Sequence, residues 1–166
     1  MSERTKGAAL SHVDETGAPR MVDVSAKDTT TRLARARACV ELPADVAARF
    51  TDGELATAKG PVVQTAVIAG TMAVKKTAEL IPFCHPLAIE RCRFDTELTD
   101  GVLRIECEVG LSGKTGVEME ALTGATVAAL TVYDMLKALS HDLRITDVEL
   151  LSKAGGKSDI RRGDGR

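Results

Sequence analysis

Hydrophobic and polar residues alternate from Arg32 to Leu42. Leu33, Arg35, Arg37, Cys39 and Glu41 fall on one side, and Ala34, Ala36, Ala38, Val40 and Leu42 on the other. A period of two predicts a β-strand. Pro43 to Phe50 can form a short helix, closed by the turn Thr51-Asp52-Gly53. A long helix is expected from Pro61 to about Leu80, because proline suits a first helical position, where its missing N–H has no intrahelical partner. Ala66, Ala69, Ala73 and Val74 mark the face expected to meet a sheet, and Gly70 permits close packing at some cost in helix propensity. Alternation returns over residues 88–98 and 102–111 around Thr99-Asp100-Gly101, which predicts a hairpin. Val117 to Leu139 is apolar on nearly every side and predicts a helix buried on several sides. Thr115 followed three residues later by Glu118 fits a capping box at its start. A last strand is expected over residues 142–151.

The order strand, helix, strand, strand, helix, strand predicts an α+β fold of the ferredoxin-like split βαβ kind, an antiparallel sheet packed by two long helices. Such a sheet leaves one face and two edges bare, and the second helix is more apolar than one sheet can cover, so an oligomer is expected. Residues 1–20 read as a flexible N-terminal arm, 21–153 as a single catalytic domain, and 154–166 as a flexible basic, glycine-rich tail that is free or clamps something.

Composition narrows the function classes. With 44% hydrophobic and 28% charged residues, the 166-residue chain is neither disordered nor fibrous. A net charge of −2 supplies no chain-wide attraction to nucleic acid or to anionic membranes, and one tyrosine, three phenylalanines and no tryptophan offer no platforms for base stacking. No apolar run approaches a membrane span or a signal segment, so a cytoplasmic location is expected. Cys39, Cys84, Cys92 and Cys107 include no Cys-x-x-Cys pair and read as reduced thiols.

Several constellations could carry chemistry. Ser112-Gly113-Lys114-Thr115-Gly116 has the core of a P-loop, but the first glycine of that pattern would stand at position 108, which is Glu. Asp134 and Lys137, three apart on the second helix, share a face. They are either a surface ion pair or a partnered pair lining a wet cavity, and a lysine that loses solvent there has its pKa lowered into the range useful for proton transfer. Glu118 and Glu120 diverge on a helix, so spacing assigns only one of them to a given site. His85, held between Pro82 and Pro86, is a packed residue or a substrate contact; no other ligand at metal-like spacing accompanies it. Lys59 stands beside a helix N-terminus, positive against positive, which makes an anionic ligand there plausible.

Five segments carry a resemblance. Met21-Val22-Asp23-Val24-Ser25, the run from Leu80 to Leu87 (LIPFCHPL), the run from Leu111 to Leu122 (LSGKTGVEMEAL), Tyr133-Asp134-Met135 and the run from Lys153 to Ser158 (KAGGKS) occur in the order found in the cyclic pyranopterin monophosphate synthase (MoaC) family of molybdenum cofactor biosynthesis, which the chain resembles over about residues 20–160. The resemblance implies a phosphorus–oxygen lyase acting after a radical SAM GTP cyclase. Its substrate would be a cyclised dihydro-GTP with the ribose already joined to the purine, and its products cyclic pyranopterin monophosphate and pyrophosphate. No redox cofactor is implied, and the sequence carries no signature for Mg²⁺. The family is similar in fold to the order above and implies a homohexamer, a trimer of dimers, with sites at subunit interfaces.

By the same resemblance Asp134 and Lys137 are the acid–base pair and Lys59 a second essential lysine. Phe83, Cys84 and His85 form one substrate-binding segment, and Met119 and Glu120, with Glu118 beside them, the other. Arg32 and Lys157 match basic positions for the triphosphate, over which the tail would order. Pro61 departs from the acidic residue usual after the Lys-Gly pair, and Asp159-Ile160-Arg161-Arg162 departs in the tail. Two other classes fit the residues alone: a regulatory module that binds an anion without consuming it, and a structural assembly protein in which Asp134 and Lys137 would be exposed and unpartnered.

Overall fold

The computed structural model describes residues 17–162, so most of the expected N-terminal arm lies outside the described residues. The elements run β1 (Thr30–Glu41), α1 (Ala44–Ala47), β2 (Ala56–Thr57), β3 (Gly60–Pro61), α2 (Val62–Lys75), α3 (Thr77–Leu80), β4 (Arg91–Thr99), β5 (Val102–Gly113), α4 (Glu118–Leu136), β6 (Arg144–Ala154) and β7 (Ile160–Arg161). This is a mixed α+β fold. Its main sheet has the order β4-β5-β1-β6-β7, every neighbouring pair antiparallel.

The alternation of β1 sorts as expected. Ala34, Ala36, Ala38 and Val40 are fully buried and share one core with Ala121, Ala125, Ala128 and Val132 of α4. On the other face Arg35 pairs with Glu106 at 2.5 Å and Arg37 with Glu149. Small alanines on both β1 and α4 let the helix lie close to the sheet, where larger side chains would hold it away. The hairpin closes tightly: Thr99 faces Val102, and the two residues between, Asp100 and Gly101, take φ of 51° and 78°, the doubly left-handed turn that matches strand twist.

Three local expectations are corrected. The helix from Pro61 breaks at Lys76, because the buried Thr77 hydroxyl donates back to the carbonyls of Ala73 (3.3 Å) and Val74 (3.1 Å), competing with the backbone for them. Its packing face meets α4 more than the sheet. A Cβ on Gly70 would stand 2.8 Å from the Gly124 carbonyl oxygen and 2.6 Å from the Phe94 ring, so glycine is what permits that approach. The capping box does not form: α4 begins after Val117 without a side-chain cap, and Glu118 instead reaches Lys153 at 3.0 Å, a charge-assisted contact that outcompetes a neutral amide.

Beyond β6 the chain turns back through Gly155, at φ 84°, where a Cβ would overlap the Thr31 carbonyl. Asp159 accepts the Gly155 N–H (3.0 Å), Thr30 donates to the Gly155 carbonyl (2.7 Å), and β7 pairs with Ser152 and Lys153, so the tail follows a defined course to Arg162. Ile68 and Met72 on α2 and Leu130 on α4 are more than half exposed, an apolar helical side with no cover among the described residues. Among the described residues no helix is long and apolar enough to cross a membrane.

Candidate active site

At the C-terminal end of α4, Asp134 stands between two lysines. Lys137, one turn on, places Nζ 2.7 Å from Oδ1, and Lys59 places Nζ 3.1 Å from Oδ2 and 3.2 Å from the Asp134 carbonyl oxygen. The like-sign clash expected for Lys59 at the start of α2 is therefore absent. Its amine points instead to the negative end of α4, where the carboxylate and the backbone carbonyl of Asp134 receive it. All three side chains are half exposed, at 50–56%. The hydrogen bond and charge of Asp134 push the Lys137 ammonium above its ordinary range, and hydrogen bonds from Lys137 and Lys59 hold Asp134 below its own. The expected lowering of Lys137 is not found in the single chain, because lowering needs lost solvent and here water remains while the carboxylate is close. The pair is exposed and partnered, which is the surface ion pair that the spacing allowed and not the unpartnered pair expected of a structural assembly protein.

At the opposite end of α4 an open cleft of about 560 Å³ is lined by the first turn of α4, the start of β1, the end of β6 and the 83–87 segment. Phe83, Cys84, His85, Glu118, Met119, Glu120, Arg32 and Lys157 all line it, so the eight substrate-binding candidates are brought together. Arg32 is held in place by donating to the carbonyls of Gly113 (3.2 Å) and Lys114 (3.4 Å). Met119 and Phe83 expose apolar surface suited to a flat ring. Glu120 is 4% exposed, and burial pushes its carboxyl above the usual range, with the Glu118 charge adding to the effect. Burial likewise raises the Cys84 thiol, helped by Glu120.

Three cations were missed. Lys27, Lys114 and Lys153 line the same cleft, which makes five cationic side chains against two carboxylates. Lys114 Nζ donates to the Ser25 carbonyl at 2.7 Å, tying the segment around Lys27 to the cleft wall. Phase was the available signal: Arg32 continues the buried positions Ala34, Ala36 and Ala38 of β1, and Lys153 follows the buried Leu151 on β6. A cation in step with a core-facing row marks the point where the core gives way to the cleft, because a charge buried in the core would be costly. The cleft and the Lys–Asp–Lys cluster do not meet, since the fourteen helical steps from Glu120 to Asp134 along α4 amount to about 21 Å along the axis. Among the described residues, no group of three or more His, Cys, Asp or Glu could hold a metal ion.

The chain is thus an α+β protein with a cationic cleft at one end of a buried helix and a lysine–aspartate–lysine cluster at the other. Residues 21–156 match the model of the MoaC family, and the chain belongs to that family. It is 59% identical over 161 residues to a cyclic pyranopterin monophosphate synthase of Xanthomonas campestris pv. campestris (strain B100), covering 96% of this chain and 98% of that protein. It is 50% identical to a molybdenum cofactor biosynthesis bifunctional protein of Synechocystis, covering 91% of this chain and 45% of that protein. It is 52% identical to molybdenum cofactor biosynthesis protein 1 of Drosophila melanogaster, covering 92% and 27% respectively.

Proposed function

We propose that the chain is a cyclic pyranopterin monophosphate synthase, converting cyclised dihydro-GTP to cyclic pyranopterin monophosphate and pyrophosphate. The observation that carries this reading is the convergence of Lys27, Arg32, Lys114, Lys153 and Lys157, from separate segments, on one cleft beside Phe83 and Met119. That lining suits a triphosphate joined to a flat heterocycle, and the name of the Xanthomonas relative supports it. The reaction opens the purine five-membered ring, builds a pyran ring and closes a cyclic phosphate as pyrophosphate leaves. Each stage is proton transfer or phosphate chemistry, for which Lys137 and Lys59 supply and accept protons, Asp134 holds both amines in register, and the cleft cations take the charge of the departing pyrophosphate.

Because cleft and Lys–Asp–Lys cluster are far apart in one chain, the complete site forms between two copies, the cleft of one against the cluster of the other. The uncovered Ile68, Met72 and Leu130 support such an assembly, here read as a homohexamer built as a trimer of dimers. In chain order the four long strands and two long helices alternate as β1, α2, β4, β5, α4, β6, and the spatial order β6-β1-β5-β4 supports the ferredoxin-like reading. Residues 21–153 act as one catalytic domain in the cytoplasm. The bifunctional relative, much longer than this chain, supports a working partnership with a neighbouring step, which we assign to the radical SAM cyclase that supplies the substrate.

The test is incubation with the cyclised nucleotide and measurement of pyrophosphate and pterin product. Lys137→Ala and Lys59→Ala should each lose about 10²-fold or more in turnover while melting like the parent. Near-normal turnover by either removes the assigned role. Binding without pyrophosphate release by the parent would favour the regulatory module instead.

A further inference from the structure

The loop that delivers Lys59 is fastened by a residue eight positions before the helix it caps. Pro61 occupies the N-cap of α2 and has no side-chain acceptor, so the first N–H groups of that helix receive nothing from their own turn. Glu54 serves them instead. Its Oε1 accepts the N–H of Val63 at 2.8 Å and that of Leu55 at 2.8 Å, and its Oε2 accepts the N–H of Gln64 at 3.0 Å. Burial pushes the Glu54 carboxyl upward, but the N–H groups of Val63, Gln64 and Leu55 outweigh it and hold it below the ordinary range. The N–H of Val62 is taken by the Leu55 carbonyl at 3.0 Å, and the backbones of Thr51 and Glu54 bond to each other in both directions.

These contacts close residues 54–63 at their base. Within the loop Ala56 faces Pro61 and Thr57 faces Gly60. Thr57 Oγ1 donates to the Gly60 carbonyl at 3.0 Å and accepts the Lys59 N–H at 3.1 Å. Lys59 thus sits at the tip of a small braced hairpin, its amine carried to Asp134. The carboxylate at the base fixes the angle at which the hairpin leaves the helix, and a shift of about 1 Å in a reacting group can cost on the order of 10²-fold in rate.

We propose that Glu54 is a positioning residue, which by capping α2 from outside its own turn holds the 54–63 hairpin so that Lys59 meets Asp134. This rests on the acid–base role given to Lys59 above. The test uses the full-length assembled protein, with Glu54→Ala, Glu54→Gln, Lys59→Ala, the double variant Glu54→Ala/Lys59→Ala, and Glu54→Ala/Pro61→Asp. The last restores a capping side chain to α2 and keeps the helix start intact should Glu54→Ala fold poorly. Turnover and KM are measured with the cyclised nucleotide, alongside amide hydrogen exchange at Val63 and Gln64.

Glu54→Ala should lower kcat about tenfold or more with KM little changed, since the cleft cations are elsewhere, and should speed exchange at both amides. Glu54→Gln, which keeps one acceptor oxygen, should recover part of kcat. Glu54→Ala should add no further loss to Lys59→Ala, because both act through one amine. In Glu54→Ala/Pro61→Asp the melting temperature should return while kcat stays low. Independent, additive losses, or full kcat in the Pro61→Asp background, would overturn the proposal and leave Glu54 a helix cap alone. An active Lys59→Ala would instead remove the acid–base reading on which it stands.

Discussion

If the complete site spans two copies, two inactive variants should restore each other. One carries Lys137→Ala and has an intact cleft; the other carries Arg32→Ala and Lys157→Ala and has an intact Lys–Asp–Lys cluster. The reasoning rests on the length of α4: with about 21 Å between Glu120 and Asp134, no lysine side chain bridges the gap within one chain. In a randomly mixed assembly from equal amounts, the cleft at a given site is intact in half of the cases and the opposing cluster in half. About one quarter of the sites are then wholly native, because in a closed symmetric assembly each copy lends its cluster to a neighbour. Co-expression with two affinity tags, isolation of doubly tagged particles and measurement of pyrophosphate release per site reads this directly. Recovery near one quarter of parental turnover is expected. Mixed particles no more active than their parents would place cleft and cluster in the same chain, or separate them from one reaction altogether.

Two further outcomes concern the fold around the cleft. Burial holds the Glu120 carboxyl above its ordinary range, so the native state keeps a proton there that the unfolded chain has released. Stability is therefore lost as pH rises from the unfolded carboxylate range, about 4.3, through the native value. Glu120→Gln should raise the melting temperature at pH 8 relative to the parent and give no such gain at pH 4; an equal effect at both pH values would contradict the linkage. In Gly124→Ala the added Cβ would stand 2.6 Å from Val74 Cγ2 and 2.7 Å from Cys107 Sγ. Overpacking of that kind costs about 1–3 kcal/mol, against about 1 kcal/mol gained in helix propensity, so the denaturation midpoint should fall. A midpoint at or above the parental one would show that α2 and α4 can separate without loss.

Elements whose pattern is set by burial were legible in the sequence. The alanines of β1 and the Asp100-Gly101 turn sit where alternation and turn chemistry place them, because each depends on its immediate neighbours. Misreadings arose where a distant partner competed for a local group. Thr115 and Glu118 spell a cap, but Lys153 arrives from β6 and takes the carboxylate. Lys59 beside Pro61 looks unbalanced until Asp134, 75 residues on, receives it. Glu54 was not singled out, since nothing in Thr51-Asp52-Gly53-Glu54 shows that the carboxylate will cap a helix beginning eight residues later. The eight residues named for substrate binding line one cleft; of the three further lysines, Lys153 has a signal in its phase against the buried Leu151, while Lys27 and Lys114 lie outside the strands and helices and have none.

The charge on the cluster says why a second copy and a substrate belong together in the proposed mechanism. With Lys59 and Lys137 on either side of one carboxylate, the cluster is net positive, and Asp134 holds Lys137 as an ammonium above its usual range while water reaches it. An amine in that state can donate a proton but is a poor base. The cleft is also net positive, so in the proposed assembly an empty cleft and the cluster of a second copy would repel each other. In the proposed mechanism a bound triphosphate would offset the charge of the cleft, draw the two halves together and exclude water from the amines. Desolvation and the nearby second ammonium then both disfavour the charged form of one lysine, and its partner keeps the proton that the leaving pyrophosphate needs. In the proposed mechanism the substrate itself would tune the acid–base pair, whereas in the free chain the hydrogen bond and charge of Asp134 hold Lys137 above its ordinary range.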